Sequence, residues 1–162
     1  MKGGEGMDKD EFSRRIIDML PVLYRVAWMQ LRQDADREDA VQEAIRRAWE
    51  KRGHLRDERY MQTWVIRILL NVCDTNRRRA GRLIPLEALP EKANTPVSET
   101  PLLDALTSLE EKYRLPLQLR YVEGYSVAEV AQILRLPQGT VKSRLSRGRD
   151  RLRAMVKEEV FE

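Results

Sequence analysis

From Arg135 to Lys157 the chain carries eight basic side chains and a single acid, Asp150, a local charge of +7. At about 100° per residue, Lys142, Ser143, Ser146, Arg147 and Asp150 share one side of a helix. Val141, Leu145, Gly148, Leu152 and Val156 fall on the other. Arg144, Arg149, Arg151 and Arg153 flank both. An α-helix fits the DNA major groove, where Arg and Lys read guanine edges or grip phosphates and Ser reaches either. The candidate duplex-reading residues are Thr140, Lys142, Ser143, Ser146, Arg147 and Arg149. Most helical charge runs are solvated faces. This one is set apart by the capped helix and the tight turn that precede it.

That preceding element is readable in detail. Ser126 and Glu129 stand at the reciprocal spacing of a capping box. Val127, Val130, Ala131 and Leu134 then recur at helical period. Arg135-Leu136-Pro137-Gln138-Gly139 breaks the run, since Pro137 is tolerated only near the first turn of a following helix. The result is a helix-turn-helix within residues 124–153.

The N-terminal half offers a second polar face. Ala40, Val41, Ala44, Ile45, Ala48 and Trp49 form the buried side of a helix expected to start with Asp36 as its cap and to run to about Lys51. Asp39, Gln42, Glu43, Arg46 and Glu50 share the opposite side. Before it, a helix is expected over about residues 8–31, with Phe12, Ile16, Met19, Leu20, Leu23, Ala27 and Leu31 as its stripe and Tyr24 and Trp28 in the core. Pro21 should kink that helix or split it in two. A polar loop, 52–59, contains the only histidine, His54. The next helix, about 60–79, has Met61, Val65, Ile68, Leu69 and Val72 inward. Arg67, Asn71, Asp74 and Arg78 stand on its other face, Trp64 reads as a core anchor, and Cys73 reads as a packed thiol.

Net charge is +4 but unevenly spread. Asn76 to Arg82 holds four Arg and no acid, whereas Leu83 to Glu111 has six acids against one Lys. Basic regions on either side of an acidic middle suit a polyanion touched at two places. Four of the seven prolines lie between Leu83 and Pro101, the composition of a semi-rigid extended linker. The expected division is 1–82, a linker at 83–101, and 102–162, with an all-α fold in both domains. In the second, Leu102, Leu103, Leu106 and Leu109 make a short apolar helix. Ser108 and Glu111 cap the next, which sends Leu115, Leu119 and Val122 inward. Pro116 conflicts with that helix by roughly 3 kcal/mol, so a kink or restart is expected there. Gly124 is its C-cap candidate. No apolar run approaches the roughly 18 residues of a membrane span. One cysteine allows no internal disulfide, which fits a reducing cytosol and a cytoplasmic protein. No metal cluster, catalytic triad or phosphate-cradling Gly loop is present, so neither cofactor, metal, small-molecule substrate nor enzymatic activity is expected.

Three stretches share a resemblance. Arg120-Tyr121-Val122-Glu123-Gly124-Tyr125-Ser126, then Glu129-Val130-Ala131, then Pro137 to Leu145, resemble the fourth region of bacterial sigma factors. Asp39-Ala40-Val41-Gln42-Glu43 is similar to the D-x-x-Q-E motif of their second region. Thr63 to Ile68 with Asn71, followed by Arg77-Arg78-Arg79, resembles that region's W-x-x-x-I-x-x-N…R-R pattern. A short chain with only these two regions is similar to the extracytoplasmic-function (ECF) group of the sigma-70 family.

The resemblance implies specific roles. Asp39, Gln42, Glu43 and Arg46 would dock on the clamp helices of the RNA polymerase β′ subunit. Leu55, Arg56 and Tyr60, in a loop that helps hold a flipped base, would act with Arg67, Asn71, Arg77 and Arg78 on the minus-ten element. The C-terminal helix would read the minus-thirty-five element, its domain also touching the β flap, and an anti-sigma factor, often membrane-anchored, would restrain the whole. The alternative from the residues themselves is a free-standing helix-turn-helix regulator that binds duplex operators without polymerase.

Overall fold

The computed structural model describes residues 7–83 and 101–161. Among the described residues seven α-helices follow in order: α1 Lys9–Gln30, α2 Asp34–Glu50, α3 Met61–Leu83, α4 Pro101–Ser108, α5 Glu111–Leu117, α6 Val127–Leu134 and α7 Gln138–Phe161. Short 3-10 turns, Arg52–His54 and Glu58–Tyr60, connect α2 to α3. No strand occurs among the described residues, and none of the described helices is long and apolar enough to cross a membrane. The chain divides into two compact units, Met1–Asn94 and Thr95–Glu162. Most of the expected linker lies outside the described residues. Its two ends do not belong to it: Leu83 closes α3, and Pro101 opens α4, the first-turn position at which proline's missing N–H costs nothing.

The first unit packs α1, α2 and α3 against one another in all three pairings. Phe12, Ile16, Met19, Leu23, Val26 and Ala27 face Met61, Val65, Ile66, Leu69, Val72 and Cys73 across a core that water does not reach. The α2 contribution is small: Ala40, Val41, Ala44 and Ala48 are fully buried. Residues this short let helix axes approach closely. Phe12 meets Trp49 edge to face, centroids 5.4 Å apart.

Three expectations for this unit need correction. α1 is not split at Pro21 but runs through it as one helix. Pro21 sits on the exposed face, as does Ile17, whose carbonyl loses its usual donor to the proline. Tyr24 is not core but 42% exposed on that face, and Trp28 and Trp64 are half-buried. Asp36 is not the cap of α2, which starts at Asp34 after the extended Gln33. Asp36 falls instead in the first turn, where a carboxylate favours the positive end of the helix dipole.

The second unit packs α4, α5 and α6 against α7. Leu106, Leu109, Tyr113, Leu115, Leu117, Leu119, Val130, Ile133, Val141 and Leu145 are its core. Pro116 stays inside α5, buried, and the chain then widens into a π-helical turn, Gln118–Val122, in which the Glu123 amide donates to the Gln118 carbonyl at 3.0 Å. That wide turn shifts the helical phase. Val122, expected inward, is therefore 53% exposed. Gly124 ends the segment at φ +78°, a conformation glycine adopts at little cost. Leu102, in the first turn of an eight-residue helix, is exposed, and burial passes to Ala105. Ser108 does not cap α5, because its hydroxyl donates back to the Asp104 carbonyl at 2.8 Å. Glu110 takes the cap position instead.

Candidate polymerase and nucleic-acid interfaces

The helix-turn-helix forms as its residues dictate. The Glu129 amide donates to the Ser126 hydroxyl at 3.1 Å and the Ser126 amide to the Glu129 carboxylate at 3.0 Å, so both members of the capping box are made. α6 ends with Arg135 in the left-handed region at φ 54°, and the Leu136 amide donates to the Ala131 carbonyl at 3.0 Å. That bond satisfies a terminal acceptor of α6. α7 then starts at Gln138, after Pro137.

On α7, Val141, Leu145 and Gly148 are buried, while Lys142, Ser143, Ser146, Arg147 and Arg149 are exposed and Thr140 is half-buried. The basic side chains differ in what already holds them. Arg149 donates to the Tyr121 hydroxyl, its guanidinium 5.9 Å from the ring centroid. Arg151 pairs with Glu110 at 3.0 Å and lies over Tyr113, and Arg153 pairs with Asp150 at 3.7 Å. Lys142, Arg144 and Arg147 make no ion pair among the described residues. Thr140, Ser143, Arg144 and Arg147 line a concavity with Lys112 and Tyr113 at the start of α5. Lys112 and Arg144 are thus two further cations at this surface. Lys112 is invisible as a candidate in the sequence, because only the packing of α5 on α7 brings it there.

On α2, the expected face points outward. Asp39, Gln42 and Arg46 are exposed and Glu43 is half-exposed. Glu43 accepts from Arg46 Nη2 at 2.7 Å and from Arg47 Nε at 2.9 Å, and Arg46 Nη1 reaches Glu50 at 2.5 Å. Hydrogen bonds from Arg46, then from Arg47, hold the Glu43 carboxyl down to about 2. Arg46 is raised by the same bond. Arg46 is therefore a strut between Glu43 and Glu50, whereas Asp36 and Asp39 make no ion pair among the described residues. These α2 residues line a groove with Asn76 and Arg79 of α3.

Arg37 was not a candidate, yet it positions this helix. It is 5% exposed, its Nε donates to the Leu31 carbonyl at 2.9 Å and Nη1 to Asp34 at 2.7 Å, and its guanidinium lies 4.9 Å from the Trp28 centroid. One side chain thus closes the end of α1 and fixes the start of α2.

The loop residues Arg56 and Tyr60 are exposed and Leu55 is half-buried. Arg15 of α1 anchors this segment, donating to the Glu58 carbonyl at 3.0 Å and to its carboxylate at 3.2 Å. On α3, Asn71 and Arg78 are exposed and Arg67 and Arg77 half-buried. Asp74 gathers two of the arginines: Arg78 at 3.1 Å and Arg77 at 3.5 Å, the latter also reaching Gln30. From Arg67 to Arg78 the face spans about 16 Å along the helix axis.

Comparison with known proteins places both units. Residues 16–83 match the family description Sigma-70 region 2, and residues 100–152 match Sigma-70, region 4. The ECF RNA polymerase sigma factor SigM of Mycobacterium tuberculosis is 34% identical over 139 residues, covering 80% of this chain and 69% of the relative. SigW of Bacillus subtilis, also an ECF sigma factor, is 28% identical over 172 residues, covering 93% and 91%. Among solved structures, the sigma factor RpoE of Bartonella quintana, crystallised with the anti-sigma factor NepR, superposes with a TM-score of 0.76 at 26% identity, covering 93% of this chain and 98% of that one.

Proposed function

The chain belongs to the ECF group of the sigma-70 family, and from that premise we propose how its surfaces divide the work of promoter-specific initiation. Residues 1–83 act as region 2 and residues 101–162 as region 4, with residues 84–100 as a tether. Asp39, Gln42, Glu43 and Arg46 dock on the β′ clamp helices of core RNA polymerase. Leu55, Arg56 and Tyr60 receive an unstacked base of the minus-ten element, while Asn71 meets a base edge and Arg67, Arg77 and Arg78 hold the melting strand's phosphates. Thr140, Lys142, Ser143, Ser146, Arg147 and Arg149 face the minus-thirty-five duplex, with the same domain against the β flap. The chain contributes binding energy and strand separation, not catalysis.

The observation that carries this reading is the outward pair Asp39 and Gln42, one turn apart on a helix whose other side is sealed into a core. A repressor needs no such face, and a free-standing regulator has no use for a region 2 unit. Carboxylates and an amide at fixed spacing suit a basic partner, where complementarity sets orientation more than raw affinity. The complex of the similar sigma factor RpoE with NepR supports restraint by an anti-sigma factor, and under such restraint the same outward faces would be covered until release.

Substituting Asp39→Arg together with Gln42→Ala should abolish binding to core polymerase, with the far-UV circular dichroism of the chain unchanged. Undiminished core binding by that double variant would refute the docking assignment.

A further inference from the structure

The groove beside α2 has a second wall that the assignments above leave unused. Asn76 and Arg79, one turn apart on α3, line it opposite Asp36, Asp39 and Gln42. The neighbouring arginines have partners, Arg78 in Asp74 and Arg77 in Asp74 and Gln30. Arg79 is exposed and makes no ion pair among the described residues. Asp36 and Asp39 are in the same condition, while Glu43 is occupied by Arg46 and Arg47. The groove thus offers a visitor uncommitted carboxylates on one wall and an uncommitted guanidinium on the other.

A phosphate strand drawn to Arg79 would have to run along the groove that Asp36 and Asp39 also line, and their carboxylates repel it. A protein surface of mixed sign has no such conflict. We propose that Arg79 is a polymerase-docking residue, not a DNA contact: it receives a carboxylate from the same helical partner whose basic side chains face Asp36 and Asp39. This rests on the reading of α2 as the docking face and deepens it. Opposite signs on the two walls also fix polarity, since a partner seated end for end would set acid against acid and base against Arg79. Asn76, between the charges, offers both a donor and an acceptor.

The test uses the full chain with core polymerase and promoter DNA. Arg79→Glu should weaken core binding about tenfold or more and Arg79→Ala by a smaller factor, both read by competition with the unmodified chain. At sigma concentrations that saturate core, promoter opening by Arg79→Glu holoenzyme should keep the unmodified salt dependence. Arg78→Ala should show the reverse, with core affinity kept and the salt slope of opening reduced by about one ion. An Arg79→Glu variant with unchanged core affinity and a reduced salt slope would overturn the proposal and make Arg79 a phosphate contact. Unchanged affinity with an unchanged slope would overturn it too. The Asp39→Arg, Gln42→Ala variant separates the two layers: if it binds core normally the docking face itself is wrong, and if it fails while Arg79→Glu is neutral only the second wall is.

Discussion

Glu43 accepts hydrogen bonds from two arginines on its own helix, and its titration reports whether that ladder exists in solution. Its carboxyl is held near 2, below the usual 4.5, so it binds protons less readily folded than unfolded. A depressed acid of this kind supports the folded state above its unfolded value and loses that support as pH falls through the folded one. The window is therefore from about 4.5 down to about 2. Carboxyl carbon NMR should place the Glu43 midpoint near 2, and Arg46→Ala should move it back toward 4.5, Arg46 being the larger cause. An ordinary midpoint in the unmodified chain would show the ladder to be broken in water. The outward position of Asp39, Gln42 and Glu43 is legible in the sequence, because the Ala- and Val-rich side of α2 leaves them no other direction. The ladder is not legible, since Glu43 could equally have met solvent. Nor is Arg37, whose burial depends on Trp28 and the Leu31 carbonyl arriving from α1. An arginine on a charged stretch gives no local sign that a distant ring and carbonyl will enclose it.

At the scale of elements, α7 packs tightly on α5 at Gly148. A β-carbon there would lie 3.0 Å from Leu117 Cδ1 and 3.3 Å from Tyr113 Cβ. Gly148→Val should therefore cost about 1–3 kcal/mol, the usual range for overpacking a filled core. All three tryptophans, Trp28, Trp49 and Trp64, belong to the first unit. The loss should accordingly appear in far-UV circular dichroism or in amide exchange of α5 and α7, with tryptophan emission unmoved. A parallel shift in tryptophan emission would mean that the two units do not unfold separately. Gly148 is readable in the sequence as part of the apolar side of α7, and the capped α6 with its broken C-terminus is readable outright. These features are local: a capping pair, a turn proline, a period. Elements failed to be readable where neighbours decide. Pro21 does not split α1 because the packed faces on both sides of it hold the helix together while its own face meets water. Val122 turns outward because the wide turn after Pro116 advances the chain out of phase, which no periodic template anticipates.

At the scale of the molecule, the proposed assignment gives the two units different chemistry. On α7, Lys142, Arg144 and Arg147 make no ion pair among the described residues, while on α3 Arg77 and Arg78 pair with Asp74. Arginines tethered to an internal acid must give up that bond to take a phosphate, so binding by the first unit alone should be weak. Tethering to a duplex-bound second unit offsets this, because the second contact becomes intramolecular and its strength depends on effective concentration. Replacing residues 84–100 by a Gly/Ser segment of twice the length should reduce initiation at promoters that need both elements by about threefold, following the decline of effective concentration with tether length. Placing a protease site in that segment and cutting it within the full chain should cost far more, on the order of a hundredfold or greater. Docking on the clamp helices should survive the cut, since it is assigned to α2 and the end of α3, and only the second unit's contact with the β flap should be lost. Should initiation persist undiminished after cutting, the two surfaces would have to act independently, and the spacing between their promoter elements would cease to matter.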